Sequence, residues 1–70
     1  MDTFGKRLKA LRLRLGRTAD WMASLVGVKR QAWHSWERDH FMPSVSHLKA
    51  IAERTGASLD WLILGKGDPP

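Results

Sequence analysis

An all-α domain of five short helices follows from three features of the sequence. Apolar residues recur at three- and four-residue spacing, and no stretch alternates with period two. Thr or Ser before a segment and Gly after it mark where segments begin and end.

The first helix is expected over about residues 3–15, because Phe4, Leu8, Leu11 and Leu15 draw one apolar stripe with Lys6, Lys9, Arg12 and Arg14 largely off it. Asp2 or Thr3 caps its start and Gly16 suits the left-handed residue beyond its end. Thr18 caps a second helix with Asp20 in its first turn, where the helix dipole favours negative charge. Met22, Ala23, Leu25 and Val26 form its buried side, and it stops at Gly27.

Lys29 through Arg38 form the third helix, with Ala32, Trp33 and Trp36 inward and Lys29, Arg30, Gln31, His34 and Ser35 facing elsewhere. Residues 39–43 are a loop. Ser44 caps a fourth helix carrying Val45, Leu48, Ile51 and Ala52 until Gly56. Ser58 caps a last short helix with Leu59, Trp61, Leu62 and Ile63, closed by Gly65. Residues 1–65 therefore read as one domain, and 66–70 as a tail or the start of a linker.

Seventy residues bury only a modest core, which leaves little room for an enzyme pocket as well as a fold. There is no cysteine, so stability must come from packing rather than from disulfides or thiolate metal sites. No apolar run has the length of a membrane span or the form of a signal peptide, and the expected location is the cytoplasm. The net charge of +5 is unevenly placed: residues 1–38 hold nine basic groups against three acidic ones, whereas residues 39–70 sum to −1. Such a one-sided field attracts a polyanion, above all nucleic acid.

The second and third helices have the requirements of a helix-turn-helix. Ala23 supplies the small residue where the helices approach, Gly27 the turn, and Val28 and Trp33 the apolar lock. The third helix then becomes a rod that fits the major groove of B-DNA. Lys29, Arg30 and Gln31 stand at its N-terminal end with Ser35 one turn on; Arg or Lys suits guanine, and Gln can make two hydrogen bonds to adenine.

In FGKRLKALRLRLG, TADWMASLVGVKRQAWHSWERD, PSVSHLKAIAERTG and SLDWLILG, residues 4–65 resemble the Xre-type helix-turn-helix family, which includes the lambdoid phage repressor and Cro proteins. The resemblance implies a compact five-helix, lambda-repressor-like fold with the third helix in the major groove. It puts Arg30 and Gln31 at the chief base-reading positions, flanked by Lys29 and Ser35, and Arg38 and His40 at phosphate-contacting positions. Arg12 and Glu37 match a structural salt bridge between the first and third helices. The fifth helix, with Leu59, Leu62 and Leu64, is implied to form a homodimer. Where the family usually has Gln after the second N-cap, this chain has Ala19, so phosphate there is left to the helix start at Thr18. Asp39 stands in place of the usual glycine, and Trp21 at a position usually polar.

The expected function is a Cro-type repressor that binds a palindromic double-stranded DNA operator as a homodimer, in a bacterial nucleoid or phage-infected cell. A protein-binding module of antitoxin type, using Trp21, Leu59 and Leu64, is the alternative; non-specific DNA packaging is a third reading. No cofactor is expected. His34, His40 and His47 share no helical face for a metal, adjacent Ser35 and His34 point apart, and Gly65-Lys66-Gly67 lacks the span of a P-loop.

Overall fold

The computed structural model describes residues 1–70 and contains four α-helices, α1 (Phe4–Arg14), α2 (Ala19–Val26), α3 (Arg30–Glu37) and α4 (Val45–Thr55), followed by a terminal π-helical segment, Asp60–Leu64. The order matches the five helices expected. No helix is long and apolar enough to cross a membrane.

Side chains define most of the helix starts. Thr3, Thr18 and Ser44 are extended N-caps whose hydroxyl oxygens accept from the backbone N–H of Lys6, Trp21 and His47, satisfying donors that have no partner within the helix. Asp2, the other candidate cap of α1, instead pairs with Arg7 at 2.8 Å. Ser58 accepts from the N–H of Trp61 at 3.3 Å just before the terminal segment. Lys29 proves to be the N-cap of α3 rather than its first residue, and it makes no side-chain capping bond.

A core of thirteen buried apolar residues draws on every element, with Leu8, Met22, Trp33, Ile51 and Leu62 fully enclosed. Trp33 fixes α3: its ring is wholly buried while the opposite side of the helix stays open. Three apolar expectations need correction. Leu15 is 40% exposed because α1 ends at Arg14 and the chain has already turned. Val45, at the first position of α4, is 80% exposed. Leu62 is 0% exposed within a single chain, so it belongs to the core and not to the surface expected to form a dimer; Leu59 and Leu64 lie at the surface.

Arginines join the helix ends. Arg7 donates from Nε to the Leu62 carbonyl and from Nη2 to the Ile63 carbonyl, each at 2.9 Å, tying the terminal segment to α1. Arg54 donates to the Leu25 carbonyl at 2.7 Å and ties α4 to the end of α2. Both sets of bonds give partners to carbonyls near helix ends, where helices run short of them.

The start of α1 lies against the end of α3. A Cβ on Gly5 would collide with the Glu37 carbonyl and come within 2.7 Å of Asp39 Oδ2. Gly5 is therefore required by close approach of backbone, not by its φ. Asp39 is the one residue other than glycine with positive φ, at 60°. Its carboxylate accepts from the Gly5 N–H at 2.8 Å and from the Thr3 hydroxyl at 2.6 Å. These bonds, the Thr3 hydroxyl first and the Gly5 N–H second, hold the Asp39 carboxyl below its ordinary pKa of 3.8.

Two outcomes are expected. Gly5→Ala should destabilise the fold by ~1–3 kcal/mol, the usual range for overpacking, as measured by denaturant unfolding; an unchanged midpoint would contradict the close approach. Because the folded-state pKa of Asp39 is depressed, its stabilisation is complete above the ordinary value and fades as pH falls through the folded-state value. Thermal unfolding of Asp39→Asn should accordingly lose less stability on acidification below the ordinary carboxylate range than the native chain does, and parallel acid profiles would count against the bonds.

Candidate nucleic-acid interface

The exposed side of α3 is built by what the other side buries. Trp33 and Trp36 face the core, and their rings meet at 5.7 Å between centroids. Helical spacing then turns Arg30, Gln31, His34, Ser35 and Arg38 to one outer face, where they line a shallow polar depression with no apolar wall. Lys29, Arg30, Gln31 and Arg38 are exposed, whereas His34 and Ser35 are half-buried. Four of the residues expected at the site (Arg30, Gln31, Ser35 and Arg38) are brought together here. Lys29 stands just before the helix, and His40 follows it in the exposed loop.

A second depression continues from the first through Arg30 and His34 to Thr18, Ala19, Asp20, Arg17 and Arg12. It joins the outer face of α3 to the start of α2, where Thr18 stands as N-cap. Two members of this surface were missed from sequence. His34 is read from sequence as facing away from the core, and its spacing from Arg30 and Arg38 puts it on their face, but the sequence reading gives it no part in DNA contact. Arg17 lies in the α1–α2 turn with its guanidinium 4.3 Å from the centroid of the Trp21 ring. Such stacking covers part of the indole and orients the cation. Trp21 is 39% exposed, so it packs across a neighbouring side chain and still reaches solvent.

Beneath this surface, Glu37 gathers three donors. Arg12 donates from Nε at 2.7 Å and from Nη2 at 3.1 Å, and the Trp33 indole N–H donates to Oε2. The side chains of Arg12 and Glu37 are 16% and 7% exposed, so the pair is largely shielded from water. The hydrogen bond to Glu37 raises the Arg12 pKa above its ordinary value, outweighing the effect of burial. Arg12 thus remains a cation, but its charge is committed inward. Arg30 differs: at 3.5 Å from Asp20 with both side chains well exposed, it makes only a loose, solvent-screened pair and is free to turn outward.

The turn between α2 and α3 has the required geometry. Gly27 is left-handed at φ 75°, and Val28 N–H returns to the Ala23 carbonyl at 2.9 Å, closing the end of α2 just before α3 begins. No group of three His, Cys, Asp or Glu residues is placed to hold a metal ion.

Residues 5–68, nearly the whole chain, match the model of a helix-turn-helix domain family. The chain belongs to this family. Its lambda-repressor-like fold agrees with the crystal structure of the P22 c2 repressor in complex with synthetic operator 9T, at a TM-score of 0.88 and 29% identity over 94% of this chain and 100% of that one. The solution structure of the P22 c2 repressor DNA-binding domain gives a TM-score of 0.84 and 30% identity, covering 99% of this chain and 88% of that one. The SPbeta prophage-derived HTH-type transcriptional regulator YonR of Bacillus subtilis (strain 168) is 32% identical over 62 residues, which cover 89% of this chain and 57% of YonR. The helix-turn-helix chain therefore spans little more than half the length of that relative.

Glu37→Ala is expected to cost ~3 kcal/mol of stability, because it leaves Arg12 and the Trp33 N–H without their acceptor in a site largely closed to water. Urea unfolding checks this; a loss under ~1 kcal/mol would mean that water replaces the carboxylate freely.

Proposed function

We propose that this chain is a sequence-specific, DNA-binding transcriptional regulator of the phage-repressor type, of Cro-like action, that inserts α3 into the major groove. The observation that carries this reading is the outer face of α3. Its opposite side is pinned in the core by Trp33 and Trp36, so Arg30, Gln31 and Ser35 project from a rigid rod. Family membership and the likeness to a repressor bound to operator DNA support it.

In this reading Arg30 pairs with guanine and Gln31 with adenine, with Lys29 and Ser35 flanking them. Arg38, His40 and the α2 start at Thr18 neutralise or hold phosphates, contacts that set register and make affinity depend on salt. Asp20 releases Arg30 on binding. Two copies form a homodimer through Leu59 and Leu64, which are 40% and 60% exposed, and bind a palindromic operator with recognition helices about one helical turn apart. The setting is the cytoplasm of a bacterium or a phage-infected cell. Trp21 has Arg17 as a partner within the chain, and no further observation favours its use by another protein.

Selection of bound duplexes from a random pool tests the reading, and a dyad-symmetric consensus is expected. Failure to enrich any sequence would overturn it. Arg30→Ala and Gln31→Ala should each lose ~1–3 kcal/mol of binding to the selected site and relax preference at one base pair per half-site. Arg38→Ala should weaken all sequences alike and reduce the slope of log affinity against log salt by about 1. An unchanged salt slope in that variant would remove Arg38 from the phosphate contacts.

A further inference from the structure

The end of α3 is held in place from outside its own helix. The His40 N–H donates to the Ser35 carbonyl at 2.9 Å and the Asp39 N–H to the Trp36 carbonyl at 3.2 Å, which closes α3 in a left-handed turn centred on Asp39. A glycine would adopt that backbone without strain, so the turn alone does not call for an aspartate. The side chain does something a glycine cannot: it reaches the first turn of α1, which is distant by 34 and 36 residues in sequence, and accepts from Gly5 and Thr3 there. Gly5, with no room for a Cβ, permits that approach.

Arg38 and His40 flank Asp39 on either side, are exposed, and take no part in the ion pairs of the chain. A carboxylate between two phosphate ligands is an obstacle if it is loose, since it would pair with Arg38 or repel the DNA backbone. Directed into the N-terminus of α1, it meets the Gly5 N–H, which has no partner within the helix, the Thr3 hydroxyl and the positive end of the helix dipole instead. The same bonds stop the loop from swinging.

We propose that Asp39 is a positioning residue for phosphate binding: by tethering the exit of α3 to the start of α1, it holds Arg38 and His40 at the height of the DNA backbone and keeps its own charge away from it. This rests on the DNA-binding reading above. Asp39 itself touches no DNA.

Two variants with the same net charge separate tether from charge. Asparagine at 39 tolerates the left-handed backbone, keeps an oxygen for the Gly5 N–H and an amide for Thr3, and removes the negative charge. Glycine keeps the backbone and removes both charge and tether. Affinity for a duplex from the selection is measured by fluorescence anisotropy across a salt series, well below the unfolding temperature of every variant. Asp39→Asn should bind at least as tightly as the native chain with the same salt slope. Asp39→Gly should bind about fourfold more weakly at about 0.2 M salt, the contribution of one phosphate neutralisation, with the slope reduced by about 1 and the preference for the selected site over a scrambled one unchanged. Equal behaviour of the two variants would overturn the proposal, whether both bind like the native chain or both bind more weakly. Binding by the native chain that is absent or indifferent to salt would overturn the DNA-binding reading itself, before any variant is compared.

Discussion

A carboxylate largely shielded from water must be given donors, and at Glu37 those donors come from two directions. Arg12 reaches it from α1, and the Trp33 indole reaches it from one turn earlier in α3. Arg12 supplies Glu37 with both an opposite charge and paired N–H groups. Trp33 is oriented by the same oxygen that Arg12 Nε contacts. The consequence is rotational: with the indole hydrogen-bonded at its edge and buried on its faces, α3 cannot roll about its axis without breaking ionic bonds and exposing its largest core residue. The outer face of α3 therefore has a defined aim.

The second fastening lies a few residues further on, and it uses the helix start instead of a cation. The Gly5 N–H and the Thr3 hydroxyl at the beginning of α1 donate to the Asp39 carboxylate, while Gly5 lets the two segments approach as closely as their backbones allow. Helix α1 thus holds the C-terminal end of α3 at two places, by an ion pair to its last residue, Glu37, and by the Asp39 carboxylate just beyond it. Neither spends the charges that face outward. Arg12 is turned inward, and Asp39 is directed to α1, so the accessible positive charge left around α3 belongs to Lys29, Arg30, Arg38 and, beside the α2 start, Arg17. Electrostatic attraction and scaffold rigidity are in this way assigned to different side chains.

Much of the framework was legible because helix ends have local chemistry. Thr18, Gly27, Ser44 and Gly56 each carry a cap or a left-handed turn that the neighbouring residues demand, and the α3 face followed from its spacing alone. Periodicity failed at the margins. Leu15 and Val45 continue the apolar pattern but fall where the chain leaves or enters a helix, so the face they extend no longer meets the core. Leu62 was misjudged because five residues of nearly continuous apolar sequence do not define a face, and the observed segment is π-helical. The Arg12–Glu37 pair was implied by family resemblance, whereas its third member, Trp33, had been read only as an apolar residue. The Asp39 tether had no local signal: its partners lie more than thirty residues away, and only the standing of an aspartate in place of the usual glycine was visible.

If α3 is aimed outward as a fixed rod and DNA is what it meets, backbone amide shift mapping of the native chain during titration with a duplex tests both together. The account predicts perturbations concentrated at residues 29–35, at the start of α2 near Thr18, and at Arg38 and His40, while the buried resonances of Trp33 and Glu37 keep their positions. Shifts centred on the exposed residues of α4 or on Trp21, with Arg30 and Gln31 silent, would contradict it.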